Sequence, residues 1–105
     1  MHKALLFTLF ISAHSASIYA STDVDNGRSI DQGQCYGCHA QKTGFGNGDM
    51  IYTRSDGKVH SYLKLKSMVA ACNSQLRLDL FPEDEADVAA YLNKQFYKFK
   101  NDNGE

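Results

Sequence analysis

The chain has 105 residues, 43% of them hydrophobic, and a formal net charge of −1, which limits it to one small domain. Its 11 basic and 12 acidic residues nearly balance, so charge gives no indication of a nucleic-acid partner or an anionic membrane surface. A chain this small struggles to bury enough apolar surface alone, and a disulfide, a metal or a cofactor usually stabilises it.

The first element is an apolar segment at the N-terminus. One positive charge precedes it, and a small residue, Ala20, stands where a peptidase would cut. This pattern is typical of a secretory signal peptide. We expect residues 1–20 to be removed and residues 21–105 to form a periplasmic mature chain without a membrane span. Cleavage after Ala16, a buried N-terminal helix or an uncleaved anchor are the alternatives, although the apolar run is short of the roughly 20 residues that a span requires.

The most informative stretch is Cys35-Tyr36-Gly37-Cys38-His39. A Cys-x-x-Cys-His run is the attachment signature of covalent haem c. Two thiols three positions apart on a helical turn can reach the two vinyl groups of one macrocycle. The histidine that follows then lies under the iron as a neutral imidazole ligand. The sequence therefore predicts one covalent haem, anchored by Cys35 and Cys38, with His39 as the proximal ligand.

Two other interpretations of the motif compete with a haem site. A redox dithiol of the thioredoxin kind would require a βαβ pattern around the cysteines, and none is evident. A zinc site would need two more ligands, and outside the predicted signal peptide only Cys72 and His60 remain, without paired spacing. No disulfide framework is expected from three cysteines.

A helix is predicted from about Asp25 into the haem motif, followed by a long loop. Residues 41–60 contain four glycines and little periodicity. Asp56-Gly57 is a turn signal within this loop. The segment Tyr52-Thr53-Arg54 before it and Lys58 after it are candidates to meet a haem propionate, and a solvated turn is the alternative.

Two further helices are predicted towards the C-terminus. The first runs from Ser61 to about Asn73, with apolar residues at helical spacing. Its predicted apolar face consists of Tyr62, Leu65, Val69, Cys72 and Leu76. Pro82 opens the second at a first-turn position, with acidic residues next to it. One predicted face of it consists of Val88, Tyr91, Leu92, Gln95 and Phe99, broadened by Phe96 and Tyr97, and the tail 101–105 is polar.

These features together resemble the class I cytochromes c. The resemblance is carried by the haem motif, by Gly27 eight residues before Cys35, and by the run from Ala86 to Leu92. In those cytochromes a glycine at that spacing lets the N-terminal and C-terminal helices cross closely. Asp31 stands where they often carry an aromatic residue. The resemblance implies an all-α fold with three main helices and long loops around one covalent haem.

A second likeness is to the sphaeroides haem protein family of small cytochromes c. It is carried by Cys72-Asn73-Ser74 with Pro82 ten residues after the cysteine. In that family the residue before such a cysteine is an asparagine that ligates the iron, and the cysteine pairs with a second one shortly before the last helix. The corresponding positions here are Ala71 and Leu80, so neither feature carries over to this chain.

The sixth iron ligand has several candidates. Met68 lies 29 residues after His39, in the segment where class I cytochromes place their methionine, and a core methionine is the equal alternative. Met50 in the loop, His60 as the spare imidazole and Asn73 as a weak ligand or helix cap are the others. Cys72 is expected to be buried and inert.

The predicted function is one-electron transfer in the periplasm between transient redox partner proteins, without catalysis. The alternative is a haem protein whose open or weakly held sixth position binds a small gaseous ligand. An open haem can also act as a peroxidase, but no acid–base pair is evident around the motif.

Overall fold

The structure, a computed structural model, describes residues 11–12, 21–43 and 46–100. The α-helices found there are α1 (Val24–Ile30), α2 (Tyr36–Thr43), α3 (Met50–Thr53), α4 (Tyr62–Leu76) and α5 (Pro82–Leu92). A π-helical turn, Asp31–Cys35, makes α1 and α2 one continuous helical stretch, and a second, Asn93–Tyr97, extends α5.

The all-α prediction is confirmed, since the described part of the chain contains helices and no strand. The three long helical stretches correspond to the three predicted helices. The first begins at Val24, and α4 continues to Leu76, three residues beyond its predicted end. The predicted signal peptide, apart from residues 11–12, and the tail 101–105 lie outside the described residues. Within the described ranges, the helices are too short or too polar to cross a bilayer.

Helix α1 packs across α5 through polar contacts and a close backbone approach. Asp23 caps α1 by accepting the backbone N–H of Asn26 at 3.1 Å. The carboxylate of Asp87 accepts the backbone N–H of Asp23 at 2.7 Å and the side-chain amide of Asn26 at 2.9 Å. A Cβ at Gly27 would overlap the carbonyl group of Asp87. Gly27 therefore lies at a close crossing of the first and last helices, as the resemblance implied.

The segment 41–60 differs from the predicted long loop. Helix α2 extends into it as far as Thr43, and the one-turn helix α3 interrupts it. Just before α3, the side-chain oxygen of Asn47 accepts the backbone N–H of Asp49 at 3.1 Å. The predicted turn is present with a different register, because Gly57 donates its N–H to the carbonyl of Arg54 and ends the turn. A four-residue helix is too short to show a helical period in the sequence.

Helix α4 is capped at both ends. The hydroxyl of Ser61 accepts a first-turn backbone N–H at 3.0 Å. The helix ends at Leu76, and the C-cap residue Arg77 adopts a left-handed conformation with φ 52°. The side chain of Asn73 accepts the N–H of Leu80 and donates to its carbonyl, both at 3.0 Å. It also donates to Glu85 at 3.2 Å, and so ties the end of α4 to the start of α5.

Helix α5 contributes most of the core. It begins at Pro82, as predicted, and Asp84 accepts the backbone N–H of Phe81 at 3.1 Å. The buried apolar residues are Tyr62, Leu65, Val88, Ala89, Tyr91 and Leu92. This core lies between α4 and α5. The predicted face is right for Val88, Tyr91 and Leu92, whereas Gln95 is exposed.

Candidate functional site

A cavity of about 480 Å³ brings the three motif residues together. Cys35, Cys38 and His39 all lie on its wall. The rest of the lining is mainly apolar and includes Ile51, Leu65, Val69, Leu78, Leu80, Val88 and Leu92. Sites for small molecules and cofactors are typically apolar cavities of about 300–1,000 Å³ with a few polar groups. The cavity has both properties.

The motif residues reach the cavity from the continuous helical stretch of α1 and α2. Cys35 ends the π-helical turn, whereas Cys38 and His39 belong to α2. The thiol of Cys35 is half-buried and that of Cys38 is exposed. Burial raises the pKa of the Cys35 thiol to about 11, and the negative charge of Asp31 adds to the effect. Both cysteines are free thiols in the described structure.

The imidazole of His39 has a side-chain partner. Its Nδ1 lies 3.0 Å from the hydroxyl of Tyr52, and the two rings meet edge to face with centroids 5.3 Å apart. Burial lowers the pKa of His39, although the charge of Asp31 opposes this. The lowered pKa favours the neutral imidazole, which is the form that ligates iron. Because Nδ1 faces Tyr52, Nε2 is the ring nitrogen that remains for a ligand.

Asp31 completes a chain of three side chains behind His39. The hydroxyl of Tyr52 donates to Oδ1 of Asp31 at 2.5 Å, and Asp31 is fully buried. Burial raises the pKa of Asp31, and the hydrogen bond from Tyr52 acts against it. Burial and the bond to Asp31 both raise the pKa of Tyr52, so the phenol keeps its proton.

The sequence does not predict this contact. Asp31 stands where class I cytochromes c often carry an aromatic residue, and Tyr52 is predicted only to lie near a propionate. One signal was present, since Asp31 lies four residues after Gly27 and four before Cys35. Residues four apart lie on one helix face, and that face is buried at Gly27. A buried carboxylate requires a donor, but the sequence does not say which residue supplies it.

Helix α4 contributes another part of the cavity wall through Leu65, Met68, Val69, Cys72 and Leu76. Met68 lies there as the predicted sixth-ligand candidate, with 39% of its surface exposed. Cys72 was expected to be buried and is half-buried on the cavity wall. Leu76, predicted on the apolar face, is largely exposed. The predicted apolar face of α4 thus packs in the core at its N-terminal end and lines the cavity along the rest of the helix.

The other candidate ligands lie away from the cavity. Met50 and His60 are exposed and do not contribute to its wall. Asn73 also lies outside the wall, and both ends of its amide are hydrogen-bonded to Leu80 and Glu85. Asn73 therefore ties α4 to the connection with α5. Its predicted role as the helix C-cap is wrong, because α4 continues to Leu76 and Arg77 is the C-cap residue.

Three basic residues, Lys42, Arg54 and Lys58, also line the cavity. The guanidinium of Arg54 makes two bonds to the carboxylate of Asp56, at 2.8 and 2.7 Å. This pair is exposed, so it contributes little to stability. Cations beside an apolar cavity suit a ligand that has an apolar body and acidic substituents.

The residues present fit a covalently attached haem. The donor set consists of two free thiols and an imidazole on the wall of one apolar cavity, with cations on the same wall. The alternatives receive less support. Among the described residues, no three His, Cys, Asp or Glu side chains form a group that could hold a metal by themselves. The same residues contain no strand from which a thioredoxin-like βαβ unit could be built.

Comparisons of the chain with protein-family models, curated proteins and solved structures find no match.

Proposed function

We propose that this protein is an exported monohaem c-type cytochrome that carries single electrons between redox partner proteins. The observation that carries the proposal is the shared position of Cys35, Cys38 and His39 on the wall of one apolar cavity. Thioether bonds to the two sulfurs would hold the haem, and His39 would be its proximal ligand. When bound, the iron supplies a one-electron redox couple.

The chain itself has two tasks in this proposal. The apolar residues Leu65, Val88 and Leu92 exclude water from the cavity, which sets the dielectric around the iron. Arg54 and Lys58 on the cavity wall can pair with the propionates, as the sequence analysis expected. The close crossing of α1 and α5 supports a class I cytochrome c arrangement as part of the same proposal.

We assign the sixth ligand to Met68. Of the four candidate ligands from the sequence, Met68 alone lies on the cavity wall. A thioether at that position would favour a low-spin, high-potential carrier. Electron transfer would need only transient contact with a partner protein.

A second candidate function is binding of a small gaseous ligand at an open or weakly held sixth position. The observation that favours it is the 39% exposure of Met68, since a loosely packed ligand is easily displaced. Met50, His60 and Asn73 do not line the cavity. If Met68 does not ligate the iron, none of these three residues lies on the cavity wall to take the sixth position.

The first test is the haem content and absorption spectrum of the protein purified after export. We expect one haem per chain that resists acid–acetone extraction, which indicates a covalent bond, and a mass consistent with loss of residues 1–20. Substituting Cys35 or Cys38 with alanine should abolish stable attachment, whereas Cys72→Ala should not. A wild-type protein exported without haem would contradict the proposal.

Carbon monoxide then separates the two functions. A low-spin reduced spectrum that the gas leaves unchanged supports the electron carrier. A high-spin spectrum that changes when the gas is added supports ligand binding at an open iron.

A further inference from the structure

The cavity wall is backed by a partly buried hydrogen-bonded chain, which we call the proximal relay: His39, Tyr52 and Asp31. Its two contacts measure 3.0 Å from His39 Nδ1 to Tyr52 and 2.5 Å from Tyr52 to Asp31. The three residues come from α2, α3 and the π-helical turn. The fold therefore places a carboxylate behind the imidazole. Tyr52, which joins the two, comes from the separate helix α3.

The direction of the hydrogen bonds follows from counting protons. A carboxylate only accepts hydrogen bonds, so the single phenol proton of Tyr52 lies towards Asp31. The lone pairs of the same oxygen then remain for Nδ1 of His39, which must carry a proton to make its bond. An Nδ1–H imidazole presents Nε2 as its free ligating nitrogen.

Packing holds the relay in one arrangement. The Tyr52 ring contacts Phe96, with centroids 5.1 Å apart, and Tyr97, with centroids 6.3 Å apart. Asp31 has no exposed surface, and its other oxygen accepts a longer bond of 3.4 Å from Gln32. The carboxylate is thus shielded from water and turned towards Tyr52. In these surroundings its hydrogen bond with Tyr52 is electrostatically stronger than it would be in water.

We propose that Tyr52 and Asp31 are positioning residues for His39, which fix its Nδ1–H tautomer and ring orientation and lower the reduction potential of the iron that it ligates. This inference rests on the proposed haem function. Metal-bound histidines generally donate their second N–H to a carboxylate or another acceptor, which makes the imidazole a stronger donor. A stronger donor stabilises the more highly charged ferric state and disfavours reduction.

The test compares exported wild-type protein with Tyr52→Phe and Asp31→Asn. Tyr52→Phe removes one oxygen and keeps the ring, so the packing around Phe96 and Tyr97 is preserved. Asp31→Asn removes the charge and keeps an acceptor oxygen. We expect both variants to retain covalent haem and to have raised reduction potentials. Loss of such a contact to a metal-bound histidine typically costs 10–100-fold in metal affinity or activity, and we expect the redox equilibrium constant to change by about the lower end of this range, tenfold. A tenfold change in the equilibrium constant is about 59 mV for a one-electron couple.

A second measurement reads the hydrogen bond itself. In the reduced, diamagnetic protein, the Nδ1 proton of His39 should exchange slowly with solvent in the wild type and faster in Tyr52→Phe. Tyr36→Phe is the matched control, because the Tyr36 hydroxyl donates to Asn47 at 3.4 Å and Tyr36 does not line the cavity. The control should keep the wild-type potential and exchange rate.

The outcomes separate the inference from its premise. Haem-loaded Tyr52→Phe with the wild-type potential and exchange rate would overturn the relay and leave the haem function standing. An equal shift in Tyr36→Phe would overturn it as well, since the effect would then not depend on the hydroxyl that contacts His39. A wild-type protein without haem would overturn the proposed function, and the inference would fall with it.

Discussion

Gly27 of α1 lies against the backbone carbonyl of Asp87 in α5, with no space between them for a side chain. Hydrogen bonds from Asp23 and Asn26 to the carboxylate of Asp87 hold the two helices at this distance. Since α1 continues through the π-helical turn into α2, the same crossing sets where the haem motif lies relative to the core.

The first prediction concerns this crossing. In Gly27→Ala the new methyl group meets backbone atoms that cannot rotate away, so α1 must shift on α5. We expect the free energy of unfolding to fall by about 1–3 kcal/mol, the usual cost of overpacking. Denaturant unfolding of the haem-loaded protein, followed by circular dichroism, measures the change.

Gly33→Ala is the matched control for Gly27→Ala. Gly33 is exposed in the π-helical turn, and a Cβ there would meet no atom within 4 Å. Alanine is favoured over glycine in a helix by roughly 0.5–1 kcal/mol. This variant should therefore be as stable as the wild type or slightly more stable. Equal destabilisation in both variants would show that the close crossing is not the cause.

The second prediction assigns Asn73 to structure rather than ligation. Asn73→Ala leaves both backbone groups of Leu80 and the carboxylate of Glu85 without their partner. We expect a loss of about 1–3 kcal/mol in the free energy of unfolding, since polar groups at this connection lose their bonds. The absorption spectrum of the haem should stay as in the wild type. Ser74→Ala, an exposed neighbour, should change neither property. A spectral change in Asn73→Ala alone would reinstate asparagine as a ligand.

The third prediction separates the methionines. Met68 lines the cavity, whereas Met50 does not. Met68→Ala should convert a low-spin spectrum to a high-spin one and let carbon monoxide bind to the reduced protein. Met50→Ala should leave the spectrum unchanged. If both variants keep the wild-type low-spin spectrum, a residue other than a methionine is the sixth ligand.

The sequence predicted the helices well because their signals are local. The predicted start of α4 at Ser61 is one residue early, since Ser61 is the N-cap of a helix that begins at Tyr62, and α5 begins at Pro82 as predicted. The end of α4 was placed too early because Asn73 looks like a C-cap. In the structure its side chain caps the connection to α5 instead, and the helix continues for three more residues.

The candidate site was predictable only in part. The spacing of Cys35, Cys38 and His39 is local and places them on one helical stretch. The contact between Tyr52 and Asp31 joins residues 21 positions apart, and no period connects them. It depends on the one-turn helix α3, which is too short to leave a pattern in the sequence. The resemblance to class I cytochromes c already favours Met68 over Met50, and the cavity is consistent with that order, since Met68 lines it and Met50 does not.

The fourth prediction uses the raised pKa of Cys35. Only the thiolate reacts with iodoacetamide, and burial raises the pKa of this thiol from 9.0 to about 11. At pH 8 the thiolate fraction is therefore about a hundredfold smaller than at the ordinary pKa. In the haem-free Cys38→Ala/Cys72→Ala variant, where Cys35 is the remaining thiol, the alkylation rate should keep rising up to about pH 11. In urea the same variant should titrate near 9, because unfolding removes the burial.

The matched variant Cys35→Ala/Cys72→Ala keeps the exposed Cys38, which should be alkylated faster at pH 8. An apparent pKa near 9 for Cys35 without urea, in a variant whose circular dichroism spectrum is still helical, would contradict its burial beside Asp31. Haem-loaded wild-type protein should be alkylated at Cys72 alone, since thioether bonds consume the other two sulfurs.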